Sequence, residues 1–434
     1  MNRRCLTVRE HQDLLREPFG PLNIDAFDAF SRHLSALPAN ALTPIHHGLR
    51  TGSFCGLVSA AGWTLEILPK IYDQPGDGPD RGLLVRMLES CFDVPLWQGG
   101  AADSDGADLL PILARTFLEE ASAQMRLGWI KSYVTFADQL TRPRGQLKLQ
   151  EQLRRGRAQG HKLHCEFDEL TVDNVHNQFV KAALQVVSSI VPMGSRHAIT
   201  VRRLAATLDE VADIHSSIHA GTPPSTHRLT RRYDRLLLLS SWLLRLLGPD
   251  VHGGSERGLS LLFDMNRLFQ DYVGHVLDAA IQRHPLRERL NLARERPVKH
   301  LVANGNRDMR FQLRPDFCLQ FDDEIIAIFD TKWKRLQPLE LNAAVGQSDL
   351  YQLLAYGHTY GCRELMLIYP HAPALNQWQK PDFRFAPFDS ASIQLSVETF
   401  DLENAESSAD RIIAAMAVVA EKTVDPFNGD SSCL

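Results

Sequence analysis

The chain has 434 residues, of which 44% are hydrophobic and 23% are charged, and its formal net charge at pH 7 is −5. These values are ordinary for globular protein, so they exclude low complexity and disorder and leave room for roughly two or three domains with cores of their own. The acidic balance also excludes a chain-wide basic field, so a polyanion would have to bind to a local concentration of positive charge.

The cysteines and the apolar runs indicate the cellular compartment of the protein. Seven cysteines lie far apart without a C-x-x-C pair, which disfavours a zinc ribbon and a disulfide framework. The N-terminus, MNRRCLTVREHQDLL, has no apolar targeting segment, and the longest apolar run, at 236–247, is short and interrupted by Arg245. We therefore expect a cytoplasmic protein that does not bind membranes.

The N-terminal part of the chain is predicted to be a small β-rich module. A short helical pattern, IDAFDAFSRHLSAL, precedes two strand-like stretches, FCGLVSA and WTLEILPKI. Ala61 and Gly62 lie between these stretches and predict a hairpin. We place the end of this module at residue 105, inside the loop-like stretch GGAADSDGAD at 99–108.

Residues 106–250 are predicted to be a mainly helical middle region, because the helical spacing that starts at Arg81 continues through ADLLPILARTFLEEASAQMRLGWIKSYV. Within it, residues 140–163 carry seven Lys or Arg against one Glu. Two interpretations stay open for this basic segment: a solvated face, or a surface that follows phosphates. The Gly-rich stretch GPDVHGGSERG ends the region, so the last domain is predicted to span 251–434.

The last domain predicts a mixed sheet flanked by helices, which makes the chain α/β (α+β overall). LLFDMNRLFQDYVGHVLDAAIQR has the pattern of one long amphipathic helix. From Phe311 to Phe321 apolar residues occupy alternate positions, as in a strand with one buried face. Asp322 and Asp323 then turn the chain, and the apolar run from residue 325 to 329 predicts a strand covered on both faces.

Two carboxylates should meet at the end of this hairpin. A two-residue loop would set Asp316 opposite Phe329, one position from Asp330. Asp330 and Lys332 would share one face of the strand, with Thr331 on the other. Two carboxylates and the backbone carbonyl of Thr331 form an oxygen site of the kind that Mg²⁺ prefers, and such a site serves metal-assisted hydrolysis of a phosphodiester.

The alternative interpretation is that Asp330 and Lys332 only solvate the end of a strand. The surrounding pattern favours the site, because a Pro-Asp pair lies on the preceding strand at hairpin spacing. A helical stretch, GQSDLYQLLAYGHTYG, follows the strand and places Gln352 and Tyr356 four residues apart, on one helical face.

This order of motifs resembles the PD-(D/E)XK nuclease superfamily, in its RecB-like Q-x-x-x-Y branch. The stretches FDMNRLFQDYV, LRPDFCLQF, IFDTKWK and DLYQLLAYG further resemble the McrC family, the nuclease subunit of McrBC modification-dependent restriction systems. Outside the last domain, LEILPKI, RPRGQLKL and CEFDELTVDNVHNQFVKAAL extend the resemblance over most of the chain.

The resemblance implies a deoxyribonuclease subunit that works with Mg²⁺ or Mn²⁺. It makes Asp316 and Asp330 metal-binding acids, Lys332 the catalytic lysine, and Gln352 and Tyr356 the following helix motif. The partner would be a hexameric AAA+ GTPase that recognises modified cytosine in double-stranded DNA, and the N-terminal module would dock on it and stimulate GTP hydrolysis.

Two further expectations concern nucleotide chemistry. Arg50 is a candidate for contacting the partner's active site, since an arginine supplied in trans is a common way to stimulate nucleotide hydrolysis. The chain itself lacks any G-x-x-x-x-G-K-[ST] motif, so we expect it to bind no nucleotide.

One position departs from the family pattern. The resemblance predicts a metal-binding glutamate near position 270, where this chain has Gln270 with Asp271 beside it. Gln270 brings no charge, so the missing acid would come from Asp271 or metal affinity would be weaker. Gln270 therefore keeps one alternative open, a nuclease-fold adaptor of low or no activity that activates an AAA+ partner. A stand-alone RecB-like exonuclease is a separate alternative.

Overall fold

The computed structural model describes residues 4–72, 76–96, 108–154, 162–213, 222–247, 259–303, 308–336, 345–375, 381–385 and 392–424. Nearly all of the predicted loop at 99–108, the Gly-rich break at 248–258 and residues 155–161 of the basic segment lie outside the described residues. In the described part of the chain, no helix combines the length and the apolarity needed to cross a bilayer.

The N-terminal region is built from two small sheets and one helix. Its elements are β1 (Arg4–Arg9), β2 (Asp13–Leu15), α1 (Ile24–Arg32), β3 (Leu42–Ile45), β4 (Gly48–Thr51), β5 (Phe54–Ala60) and β6 (Trp63–Leu68). The predicted hairpin is confirmed: β5 and β6 are antiparallel, with Ala60 opposite Trp63. Ala61 and Gly62 have φ values of 45° and 81°, the positive values that a two-residue hairpin loop requires.

The middle region is largely helical but contains a three-stranded antiparallel sheet that was not predicted. Helix α2 (Gly78–Phe92) precedes this region, and the region's own elements are α3 (Leu109–Arg126), β7 (Ser132–Leu140), β8 (Gln146–Leu147), α4 (Leu149–Arg154), β9 (Leu163–Thr171), α5 (Val175–Ile190), α6 (Arg196–Thr207) and α7 (Asp234–Leu247). The predicted continuation of helical structure to Val134 is wrong: Gly128 follows the end of α3 with a φ of 81°, and the stretch SYV begins β7, which pairs with β9.

The last region carries the predicted mixed sheet, and the α/β class is confirmed. Its sheet has the order β11-β14-β15-β16-β18-β17, in which β15, β16 and β18 are parallel. The elements are β10 (Leu259–Asp264), α8 (Met265–Arg283), β11 (Leu290–Arg294), β12 (Lys299–Ala303), β13 (Met309–Leu313), β14 (Phe317–Phe321), β15 (Glu324–Thr331), α9 (Gln347–Tyr360), β16 (Glu364–Pro370), β17 (Asp382–Arg384), β18 (Gln394–Phe400) and α10 (Ala405–Val424).

Both faces of this sheet are covered, as the apolar run in β15 predicted. Phe317 and Phe329 point into the large core shared with α8 and α10, while Cys318 and Ile328 point into a second core against α9. Because side chains alternate along a strand, the residues that follow Phe329 continue this alternation. The α9 side therefore receives Asp330, and Thr331 faces the α8 side.

The predicted start of the long helix is wrong. The residues LLFD form the end of β10, which pairs antiparallel with β5 in the N-terminal sheet. The helix begins at Met265, because the Asp264 carboxylate accepts a hydrogen bond from the backbone N–H of Asn266 at 2.9 Å and caps the first turn. The region after residue 250 thus supplies an edge strand to the N-terminal sheet.

Candidate functional site

The hairpin of β14 and β15 brings the two predicted acids level with each other. Asp322 and Asp323 form its turn with positive φ values of 49° and 68°. The predicted register, with Asp316 opposite Phe329, is wrong: Phe317 is the partner of Phe329. The cause is a β-bulge next to Leu319, where β15 holds one extra residue and the pairing shifts by one.

Asp316 is tethered to the end of β15. Its Oδ2 accepts hydrogen bonds from the backbone N–H and from the hydroxyl of Thr331, both at 2.7 Å. Burial raises the pKa of Asp316, and these two hydrogen bonds oppose that rise. Thr331 therefore fixes the orientation of the carboxylate.

Asp330 is a buried carboxylate that lacks full compensation. It is 2% exposed, and burial, reinforced by the charge of Asp316, raises its pKa to about 7. The Lys332 ammonium lies 2.6 Å from its Oδ2 and opposes the rise. Among the described residues, however, no group makes a hydrogen bond of ordinary geometry to that oxygen. A further positive charge at this place would stabilise the ionised form.

Lys332 connects the acids to the Q-x-x-x-Y pair on α9. Its Nζ lies 3.2 Å from Oε1 of Gln352, and Nε2 of Gln352 donates to the Tyr356 hydroxyl at 2.7 Å. The same hydroxyl donates to the backbone carbonyl of Arg314 at 3.1 Å, two residues before Asp316. The structure thus brings all five predicted residues into one connected group.

Charge keeps the lysine protonated. Burial lowers the pKa of Lys332, but the neighbouring carboxylates of Asp330, Asp349 and Asp316 raise it by more, so its pKa lies above the ordinary value. Asp349, in the first turn of α9, was not predicted as part of the site. It lies 3.9 Å from the Lys332 ammonium and 3.1 Å from that of Lys334. Its position, one turn before Gln352, is a signal that could have identified it.

Gln270 and Asp271 lie beside the site and bind protein partners. Nε2 of Gln270 donates to Oε1 of Glu295 at 3.4 Å, and the Asp271 carboxylate accepts from Arg267 at 3.0 Å. Glu295 in turn donates its backbone N–H to the Asp316 carbonyl at 3.0 Å. Across the described residues, no group of three or more His, Cys, Asp or Glu side chains is placed to hold a metal ion.

The donor set fits a hard divalent cation. The carboxylates of Asp316 and Asp330 and the carbonyl of Thr331 are oxygen ligands, the type that Mg²⁺ prefers, and Mg²⁺ commonly keeps several water ligands beside one or two carboxylates. The incompletely compensated Oδ2 of Asp330 gives such a cation an electrostatic role.

Trp333, next to Lys332, connects the site to the N-terminal region. Its indole N–H donates to both carboxylate oxygens of Glu10 at 2.8 and 3.0 Å. Sequence patterns did not predict this contact.

Arg50 lies on β4 with its side chain 55% exposed, in an ion pair with Asp13. The proposed contact of Arg50 with a partner stays a prediction.

Fold and site together define a mixed α/β protein whose central sheet ends in a buried pair of acids and a lysine. A family model described as "McrBC 5-methylcytosine restriction system component" matches residues 49–370. The chain belongs to this family, which confirms the resemblance found in its sequence.

A solved structure agrees with this assignment at the level of the fold. A chain of the refined half-complex from the tetradecameric assembly of Thermococcus gammatolerans McrB AAA+ hexamers with bound McrC is 16% identical, with a TM-score of 0.69 over 95% of this chain and 100% of that one. A chain of the cryo-EM structure of the Thermococcus gammatolerans McrBC complex is also 16% identical, with a TM-score of 0.49 over 65% of this chain and 90% of that one. No curated protein gave a match.

Proposed function

We propose that this chain is the DNA endonuclease subunit of a McrBC-like restriction complex and hydrolyses phosphodiesters with Mg²⁺, or Mn²⁺ in its place. The observation that carries the proposal is the meeting of Asp316, Asp330 and Lys332 at the buried end of β15. Such an arrangement concentrates charge that a strand end does not need for stability, since removing buried charges in favour of apolar groups is often neutral or stabilising.

Each residue has a separate task in this mechanism. Asp316, Asp330 and the Thr331 carbonyl would hold the metal ion, which lowers the pKa of a bound water and offsets charge on the phosphodiester. Thr331 orients Asp316 through its two hydrogen bonds. Lys332 stays charged, orients the attacking water and stabilises negative charge that develops on the phosphate. Gln352 and Tyr356 hold Lys332 and the chain before Asp316 in place.

The partner in this proposal is a McrB-like AAA+ GTPase hexamer. The support comes from the family and from the similar structure of Thermococcus gammatolerans McrB AAA+ hexamers with bound McrC. The partner would recognise modified cytosine in double-stranded DNA and hydrolyse GTP, while this chain binds no nucleotide. The N-terminal region would dock on the hexamer and stimulate its GTPase, and the exposed Arg50 is a candidate for this contact.

The test is the Asp330→Asn substitution, assayed for Mg²⁺-dependent cleavage of DNA with modified cytosine in the presence of the partner and GTP. We expect cleavage to fall by at least about a hundredfold, because a charge-stabilising group is lost from the reacting centre. Asp323→Asn is the matched control: it makes the same change in the turn of the same hairpin, and Asn tolerates the positive φ there. Equal cleavage by the two variants would refute the proposed site.

A second candidate is an adaptor that keeps the fold and activates the partner without cutting DNA. The uncharged Gln270 favours it. So does the finding that, among the described residues, no three His, Cys, Asp or Glu side chains are placed to hold one metal ion. In that case Asp330→Asn would leave GTPase stimulation intact, and the wild-type complex would show no Mg²⁺-dependent cleavage at all. A stand-alone exonuclease would instead degrade unmodified DNA from its ends without the partner.

A further inference from the structure

An arginine-lined cavity of about 450 Å³ lies beside Asp316, between α8, the end of β11 and the start of β14. Two acids, Asp271 and Glu295, also line it, along with Gln270. Among the lining residues arginine outnumbers the acids, with Asp278 pairing Arg294 from outside the lining; the four arginines are Arg267, Arg294, Arg296 and Arg314. This is a local basic surface in a chain whose net charge is acidic.

The cavity is fixed in position relative to the two acids. The backbone N–H of Glu295 donates to the Asp316 carbonyl at 3.0 Å. On the other side, the Arg314 carbonyl accepts from the Tyr356 hydroxyl at 3.1 Å. Both contacts use only main-chain atoms of Glu295 and Arg314. The side chains of these two residues are therefore left to line the cavity.

Glu295 occupies the place that an external anion would take among these arginines. Its carboxylate contacts Arg267, and its Oε2 lies 3.8 Å from Nη1 of Arg314. Arg296 is exposed, and in the described part of the chain no hydrogen bond or ion pair engages its side chain. A phosphate group presents oxygens to guanidinium donors much as a carboxylate does, and arginine binds both in bidentate fashion.

We propose that this cavity binds a backbone phosphate of the DNA strand, next to the phosphodiester held at Asp316 and Asp330, and that Glu295 partners the arginines when DNA is absent. The proposal rests on the proposed nuclease function and adds a binding subsite to it. A phosphate contact carries no sequence information, so this subsite would position DNA without selecting the target.

The test measures how the binding of an unmodified, fluorescein-labelled duplex by the full chain depends on salt, in EDTA so that no cleavage occurs. One neutralised phosphate contributes about 0.9 to the slope of log affinity against log salt concentration. Because the arginines share a single phosphate, we expect Arg296→Ala and Arg314→Ala each to lower the slope by part of that amount, and Arg314→Lys, which keeps the charge, to lower it less. Arg283→Ala is the matched control: Arg283 is a half-exposed arginine on α8, paired with Asp410.

A second variant, expected to raise duplex affinity, separates loss of the phosphate contact from general misfolding. Glu295→Gln removes the competing charge, so duplex affinity should rise, which a misfolded variant would not show. The proposal is overturned if the wild-type chain does not bind the duplex, if the Arg296 and Arg314 variants keep the slope of Arg283→Ala, or if Glu295→Gln weakens binding. Because binding is measured without metal, an intact salt effect with no Asp330-dependent cleavage would refute the proposed function alone.

Discussion

At the scale of single residues, Glu10 links the N-terminal region to Trp333, just after the end of β15. It is 2% exposed and accepts hydrogen bonds from the indole of Trp333 and from the backbone N–H of Lys70. Burial raises the pKa of Glu10 to about 7, the charge of Asp80 adds to the rise, and the bonds from Lys70 and Trp333 oppose it.

This raised pKa predicts a pH dependence of stability. The folded-state pKa lies above the ordinary 4.5, so the contribution of Glu10 is fully present below pH 4.5 and is lost as pH rises through about 7. The wild-type free energy of unfolding should therefore fall more between pH 4.5 and pH 8 than that of Glu10→Gln, by up to about 3 kcal/mol. Gln keeps an acceptor for Trp333. Parallel stability profiles from chemical denaturation at several pH values would contradict this assignment.

Much of the proposed site could be predicted from the periodicity of the sequence. Asp330 and Lys332 follow from the period of a strand, and Gln352 with Tyr356 from the period of a helix. The contact between Glu10 and Trp333 joins residues 323 positions apart, and no local period encodes such a pairing. The register of Asp316 failed for a different reason, because a bulge leaves the hydrophobic pattern almost unchanged while it shifts the pairing by one.

At the scale of elements, α9 and the β14–β15 hairpin form the framework of the site. The Tyr356 hydroxyl accepts from Gln352 and donates to the Arg314 carbonyl, so it fastens the helix to the segment before Asp316. Helix α9, strand β15 and the hairpin turn were predictable because their signals are local. The single strand predicted from Phe311 to Phe321 is wrong, because the chain divides there into β13 and β14, which lie in different sheets. The strand β10 was not predicted, because its apolar residues fit the helix that follows as well as the sheet that it joins.

Tyr356→Phe should therefore weaken this framework. Loss of the buried hydroxyl leaves the Arg314 carbonyl without its donor, which should cost about 1 to 3 kcal/mol of unfolding free energy and lower cleavage by the complex. Tyr351→Phe on the same helix is the control, since Tyr351 is 63% exposed and its hydroxyl accepts only from the exposed Gln347 side chain among the described residues. Its effect on stability should stay within about 0.5 kcal/mol. Equal effects of the two changes would argue against a framework role for Tyr356.

At the scale of the whole molecule, the buried carboxylate of Glu66 joins the N-terminal sheet to α2 and to the start of the middle region. Glu66 on β6 is fully buried and accepts from Nε and Nη2 of Arg81 on α2 at 2.8 and 2.7 Å. It also accepts from the backbone N–H of Leu109 at the start of α3, at 2.9 Å. One carboxylate thus holds three elements from both regions together.

Arg81→Met should accordingly be strongly destabilising, by about 3 to 5 kcal/mol, because it leaves the charge of Glu66 buried and unpaired. Chemical denaturation monitored by fluorescence gives the difference. Arg235→Met provides the comparison: its pair with Asp93 has side chains 47% and 84% exposed, and its loss should cost no more than about 1 kcal/mol. Similar losses in the two variants would show that Glu66 finds compensation elsewhere.

The pairing of β10 with β5 sets a limit on how this protein can be recombined. The N-terminal sheet is completed by residues 259–264, which lie far along the chain and run directly into α8. A chimera that exchanges only the first hundred residues with a relative would put a foreign β5 against a native β10, with mismatched side chains along that edge. Exchanging the N-terminal sheet intact would require moving both segments at once, so the N-terminal region and the strand before α8 form a single unit of exchange.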